Sequence, residues 1–177
     1  MTTEEKVMRP TQTPATGRYV LDPERTTITF RTRHMFGLAP VKGHFTLGSA
    51  TVKIAERAEG SSVEALVASA SFSTRNPLRD VQVRSRFFLH AKRYPTMSFQ
   101  SDSIEWRDGA WHVTGLLLVK RHSAPVEITL DQMTTSGTAL KLQAHGEIDR
   151  YAHGVTAMKG MAAKILTFVI TAEGTQL

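Results

Sequence analysis

Thr27-Ile28-Thr29-Phe30-Arg31-Thr32-Arg33-His34 sets the fold class. Ile28, Phe30, Thr32 and His34 fall on one face at period two, and Thr29, Arg31 and Arg33 fall on the other. A strand with one apolar and one wet side has that pattern, and a helix at 3.6 residues per turn does not. The same period recurs along the chain. Val41, Gly43, Phe45 and Leu47 follow a turn at Gly37–Pro40, and Val63, Ala65 and Val67 come next. Met97, Phe99 and Ser101 open a strand, and Trp111, Val113, Gly115, Leu117 and Val119 make a long one. Val126, Ile128 and Leu130, then Leu140, Leu142, Ala144 and Ile148, then Ile165 to Thr171 complete the set. Turn signals at Asp22-Pro23, Asp108-Gly109, Ser136-Gly137 and His153-Gly154 separate the runs. About eight strands joined by short turns, without βαβ alternation, predict an all-β antiparallel barrel or sandwich.

One segment leaves the pattern. Asn76-Pro77-Leu78-Arg79-Asp80-Val81-Gln82-Val83-Arg84 has an Asn cap and a Pro at the first helical position. Ser85 is placed to cap a second turn over Arg86–Leu89, and Pro95 stops it. Two short helical pieces at about residues 77–93 are therefore expected to plug or gate one end of the β domain.

The chain has 177 residues, 41% of them hydrophobic, which suits one folded domain with a sizeable core. It has no cysteine, which excludes a disulfide, a thiolate nucleophile and a zinc–cysteine cluster and fits a reducing compartment. The opening Met1-Thr2-Thr3-Glu4-Glu5-Lys6 is acidic, and no apolar run precedes Gly17. Residues 1–16, rich in Thr and Pro, read as a flexible N-terminal segment ahead of a domain at 17–177. No apolar stretch approaches the length of a membrane-spanning helix. The net charge of +6 is spread without a run of five bases. It suits either a plain soluble surface or an anionic partner. Nucleic acid is not expected, because aromatics are not interleaved with the bases on an exposed face.

Catalytic and metal signatures are missing. His34, His44, His90, His112, His122, His145 and His153 show neither H-E-x-x-H nor H-x-H spacing. Neither G-x-S-x-G nor S-x-x-K occurs, and no Gly-rich phosphate loop is present. No catalytic residue, metal or cofactor is therefore assigned. His34, in phase with Ile28 and Phe30 at a strand end, could hold a ligand's polar head or simply bond to backbone. Arg79, Asp80, Arg84 and Arg86 could form a basic collar at a cavity mouth or ordinary helix-surface charge.

Four stretches together resemble the YceI-like family, the polyisoprenoid-binding barrels. They are Tyr19–Pro23 with Ile28–His34; Val41–Phe45; Arg79–Phe88 leading to Lys92-Arg93-Tyr94-Pro95-Thr96-Met97-Ser98-Phe99; and Val113–Leu117 with Pro125-Val126. Ile148-Asp149-Arg150 with His153-Gly154 is a weaker echo. The third stretch is the most specific, since strand patterning alone would not generate a helix followed by Phe-Phe and then Tyr-Pro. The resemblance spans about residues 17–173. It implies an extended eight-stranded antiparallel lipocalin-like barrel whose apolar cavity takes an isoprenoid chain, a quinone or polyprenyl tail. The chain departs from the family at Lys120-Arg121, where a His-Gly turn is common, and at Gln82, where a second histidine is common. Head-group chemistry based on those histidines does not carry over. Family members are often exported. The N-terminus of this chain points instead to the cytoplasm.

The reading is thus a non-enzymatic carrier or store for an isoprenoid lipid. The expected ligand-binding residues are Ile28, Phe30, Phe45, Phe87, Phe88, Phe99, Leu117 and Val119, with His34 and Arg84 at the head group. Transient membrane contact and a homodimer complete the expected partners. Two rivals stand beside it. One is an enzyme on a small apolar substrate, which needs a histidine and a carboxylate converging inside the cavity. The other is a filled-barrel interaction or stress-response module without room for a chain.

Overall fold

The computed structural model describes residues 14–177. The N-terminal segment expected at 1–16 therefore lies mostly outside the described residues. The strands are β1 (Gly17–Leu21), β2 (Thr27–His34), β3 (Ala39–Ile54), β4 (Ser62–Ser73), β5 (Thr96–Arg107), β6 (Ala110–Val119), β7 (His122–Ser136), β8 (Ala139–Asp149) and β9 (Ile165–Gln176). One helix, α1 (Pro77–Arg84), lies between β4 and β5.

These strands form a closed antiparallel barrel of eight staves. Around the ring run β3, β2, β9, β8, β7, β6, β5 and β4, and the β3–β4 pairing closes it. β1 adds no ninth stave. Val20 pairs with Thr51 of β3 and Thr175 of β9, just as Ile28 of β2 pairs with Phe45 and Ile170 of the same two strands. β1 and β2 are two halves of one stave. The break falls at Asp22-Pro23, where the Asp22 carboxylate accepts from the Glu24 amide at 2.9 Å and Pro23 opens a 3-10 turn. Closure removes the bare strand edges that an open sheet would expose.

Turn chemistry sets the register. Asp108 (φ 53°) and Gly109 (φ 77°) are both left-handed, as a two-residue hairpin matched to strand twist requires. Arg107 then faces Ala110, and Trp106 packs edge-on against Trp111 at 5.2 Å.

α1 starts where expected. The Asn76 side chain accepts from the Arg79 amide at 3.1 Å, and Pro77 takes the first position. Asp80 is buried and accepts from the Thr74 amide and hydroxyl at 2.9 and 2.6 Å. The helix ends at Arg84, and residues 85–93 form a series of turns rather than a second helix. The buried side chains there are Phe88, Leu89 and Ala91, and His90 between them is left-handed (φ 47°), which a right-handed helix does not accommodate. The segment still does what a plug requires, because Phe88 and Leu89 enter the barrel end.

Two clusters of buried side chains line the interior. One, around Phe30, Phe72, Phe88, Phe99 and Phe168, fills the half next to α1. The other, around Tyr19, Leu21, Leu47, Val52 and Leu140, fills the half next to β1. Phe30, Phe45 and Phe72 form an aromatic triangle with centroids 5.2 to 5.6 Å apart.

Candidate apolar cavity

A cavity of about 400 Å³ runs between the two clusters. Its size lies within the range of ligand pockets, about 300–1,000 Å³. It has a closed and an open end. At the α1 end its wall is made of Val83, Phe88, Leu89, Arg150, His153 and Val155, all buried except the half-buried Val83. At the other end it reaches the exposed Lys53 and Glu56, beside the 55–61 connection. Lys53, Glu56 and Arg150 are the only charged residues along the wall among the described residues. The rest is almost wholly hydrocarbon.

Inward-facing glycines keep the wall flat. Gly43 lies opposite Phe30, and Gly146 lies opposite Phe168. A Cβ on Gly43 would run into the Phe30 ring, and one on Gly146 would sit 2.6 Å from the Phe168 ring. Gly115 pairs with Ser101, and a Cβ there would sit 2.7 Å from the ring of Phe99, two residues along the same strand. The rings therefore lie on bare backbone instead of standing into the lumen.

Seven of the ten expected ligand residues are on the wall: Ile28, Phe30, Phe45, Phe88, Phe99, Leu117 and Val119. Three are elsewhere. Phe87 points outward and is 64% exposed, because adjacent residues in the turn segment send Phe87 and Phe88 to opposite sides. His34 shares a face with Phe30 but lies beyond the closed end. There it bridges to Ala162, and Arg79 Nη2 donates to its Nε2 at 3.3 Å. Arg84 braces α1 against β4, donating through Nε to the Phe72 carbonyl at 3.0 Å. It lines no part of the cavity.

Arg150 and His153 are the polar groups that the sequence reading did not select. Arg150 is 7% exposed, lies 4.7 Å from the centre of the Tyr151 ring, and sends its hydrogen bonds to backbone carbonyls. Nε donates to Ala163 O at 2.7 Å, Nη1 to Val155 O and Ala157 O at 2.8 Å, and Nη2 to Ala162 O at 2.8 Å. Burial pushes its pKa down, while Tyr151 and Asp149 push it back up. A guanidinium stays charged through such shifts. It is the peg around which residues 150–163 fold over the barrel end. The Asp149 carboxylate feels burial, which raises its pKa. Hydrogen bonds from the Tyr151 amide and Lys164, and the Lys164 charge, outweigh that and hold it below its ordinary value.

The histidine–carboxylate pairs face outward. His112 Nδ1 lies 3.0 Å from Glu127, and His145 Nδ1 lies 2.8 Å from Asp131. Their neighbours Val113, Ile128 and Ala144 are the residues that line the lumen. Among the described residues, no three histidine, aspartate or glutamate side chains gather as a metal site would require.

A closed eight-stave barrel, an α1 plug and a hydrocarbon lumen coincide with a match of residues 19–173 to the family model of the YceI-like domain. The chain belongs to the YceI-like family. Its curated relatives include protein YceI of Salmonella arizonae, 24% identical over 155 residues that cover 84% of this chain and 81% of the relative. Among solved structures, Burkholderia cenocepacia BcnA has a TM-score of 0.75 at 22% identity, covering 88% of this chain and 99% of that one. A polyisoprenoid binding domain from Saccharophagus degradans, implicated in plant cell wall breakdown, has a TM-score of 0.66 at 11% identity, covering 90% and 98%. Campylobacter jejuni YCEI protein has a TM-score of 0.64 at 22% identity, covering 77% and 85%. At these identities the solved structures share the YceI-like fold with this chain.

Proposed function

We propose that this YceI-like barrel binds and carries an isoprenoid chain, a quinone or polyprenyl tail, in its central cavity without chemically changing it. The observation that carries the reading is the hydrocarbon lumen, open at one end and plugged at the other. Each buried methylene is worth about 0.8 kcal/mol, so ten carbons supply about 8 kcal/mol before the cost of association. The polyisoprenoid binding domain of Saccharophagus degradans supports the same ligand class. The outward histidine–carboxylate pairs leave the enzymatic rival without a cavity couple, and a filled barrel would leave no such space. Native mass spectrometry of protein purified from its own host, followed by lipid extraction, tests the proposal. A co-purifying prenyl lipid is expected. Repeated recovery of empty protein would refute it.

The α1 end is the surface we assign to transient membrane contact. The connections there, 35–38, 74–95, 120–121 and 150–164, carry eleven lysines and arginines and one acid, the buried Asp80. They also expose Phe36, Leu38, Leu78, Val81 and Phe87. The Phe36 amide bonds to Gly160 O, and Gln82 Nε2 reaches Met158 Sδ at 3.2 Å, so the β2–β3 turn, the 150–164 connection and α1 form one face. Apolar tips ringed by cations suit an anionic lipid surface.

A homodimer through the outer wall is the proposed assembly, supported by exposed Leu66 on β4 and exposed Leu116 and Leu118 on β6, the two strands that flank β5. Light scattering on Leu116→Lys protein tests it. The cytoplasm remains the proposed compartment, on the absence of cysteine, and cell fractionation tests that.

A further inference from the structure

We propose that the thioethers of Met35, Met158 and Met161 form an oxidation site on the α1 face, and that peroxide turns them into sulfoxides that loosen the protein from lipid. The inference rests on the membrane-contact reading and adds a means of reversing that contact.

The described methionines fall into two sets. Met97 and Met133 line the lumen. Met35, Met158 and Met161 are 51%, 43% and 37% exposed, and all three stand in the connections of the α1 face. They are also neighbours. β2 ends in an antiparallel bridge from His34 to Ala162, and two residues further the Phe36 amide donates to Gly160 O at 3.1 Å. That register sets Met35 opposite Met161. The Met158 carbonyl accepts from the Met161 and Ala162 amides at 3.1 and 2.9 Å, so Met158 belongs to the same turn. Met35 and Met158 are left-handed (φ 53° and 54°), an uncommon backbone for so large a side chain. Met158 Sδ accepts from Nε2 of the exposed Gln82 at 3.2 Å, which places that sulfur on the outer surface of α1.

An exposed thioether is apolar, flexible and open to oxidation. A sulfur lone pair takes one oxygen of hydrogen peroxide as the O–O bond breaks. The departing hydroxide collects the proton of the transferred oxygen and leaves as water. The thioether is oxidised and the peroxide is reduced. The product is polar and chiral, and methionine sulfoxide reductases reverse it. On this face the change falls on the apolar part of the contact, since Met35 adjoins the exposed Phe36 and faces the 158–162 turn. Each new oxygen has to be desolvated before the tips enter lipid. The lysines and arginines around them are untouched, so attraction to anionic lipid persists while insertion fails.

The test reads binding to vesicles of phosphatidylglycerol and phosphatidylcholine before and after hydrogen peroxide. Peptide mass spectrometry reports sulfoxide at each methionine. Met35, Met158 and Met161 should oxidise well ahead of Met97. Oxidised wild type should keep its circular-dichroism melt, bind about tenfold more weakly, and recover with the reductases. Its residual binding should keep its salt dependence. The triple variant Met35→Leu, Met158→Leu, Met161→Leu keeps the apolar volume, so it should bind within about twofold of untreated wild type and ignore peroxide. It retains Met1 and Met8, which lie outside the described residues, so its indifference isolates the three sulfurs. Met158→Gln with Met161→Gln supplies the polarity without the oxidant and should weaken binding by itself. Undiminished binding by oxidised wild type would overturn the proposal. So would a triple variant that loses as much to peroxide as wild type, a glutamine variant that binds like wild type, Met97 oxidising as fast as the exposed three, or loss of binding through unfolding. In each of these cases the membrane-contact reading stands. Failure of untreated wild type to bind would instead overturn that reading and this proposal with it.

Discussion

Gly146→Ala should destabilise the barrel and shrink its ligand capacity together. Replacing a strand glycine with alanine at an allowed backbone angle normally stabilises by about 0.4–1 kcal/mol, by restricting the unfolded chain. Here the new methyl would lie 2.6 Å from the Glu127 carbonyl oxygen and 2.6 and 2.9 Å from two atoms of the Phe168 ring. The Glu127 oxygen belongs to β7, whose Ile128 faces Gly146, so it cannot move without opening the ladder. The Phe168 ring is 8% exposed and packed in the larger cluster, so its way out is into the lumen. Overpacking of this kind costs about 1–3 kcal/mol, more than the entropic gain. A net loss of about 1 kcal/mol lowers the melting temperature by about 2–4 °C in a domain of this size. Thermal denaturation by circular dichroism reads the first effect, and titration with farnesol reads the second. Phe168→Leu in the same chain should recover part of both, since it removes one of the two obstacles. A Gly146→Ala protein that melts at or above wild type, with undiminished ligand capacity, would refute the account of glycines as seats for wall aromatics.

Arg150→Met should cost about 3–5 kcal/mol, since it strips four carbonyls of their donor and only that of Val155 is fully buried. Hydrogen exchange should show residues 150–163 opening ahead of the staves. Binding to vesicles of anionic lipid should exceed binding to neutral ones and fall with salt. Phe36→Ser with Leu78→Ser should weaken it by about tenfold or more, if each apolar tip enters the interface. Equal partitioning of wild type and variant would remove the α1 end as the contact face. The Asp149 carboxylate has a folded pKa below its unfolded one, so its contribution is present above about pH 4 and is lost as pH falls through the folded value. Asp149→Asn should flatten that part of the acid-denaturation curve by removing the contribution that the carboxylate makes at neutral pH.

The antiparallel β class was readable because alternation is a local signal, while the eight-stranded barrel followed only from the family resemblance carried by the helical insert. Ile28, Phe30, Phe45, Phe99, Leu117 and Val119 announce their face by parity alone. Parity fails where the backbone slips. In β3 the pairing shifts between Leu47 and Ser49, so the buried residues pass from Leu47 to Ala50 and Val52, and the pattern seems to stop at Leu47 when the strand continues to Ile54. Parity also carries no depth: His34 is in phase with Phe30 yet sits past the end of the cavity. In Phe87-Phe88 an adjacent aromatic pair in irregular backbone gave no sign of which ring would turn inward. Arg150 and His153 lie in a connection with no period at all. Their one signal was the Ile148-Asp149-Arg150…His153-Gly154 cluster, and a long connection folded over a barrel end is where a buried base finds carbonyls to hold.

The place of β9 has a consequence for biosynthesis. Ile165–Gln176 fits between β8 on one side and the split β1–β2 stave on the other. Until that strand has left the ribosome, β2 and β8 both present bare edges, and the greasy lumen between them is an open trough. No earlier strand can stand in for it, because the N-terminal stave has to wait for a partner more than a hundred residues downstream. The nascent chain is therefore most prone to misassociate just before β9 emerges, and the cell's chaperones would meet it as an unsealed half-pipe.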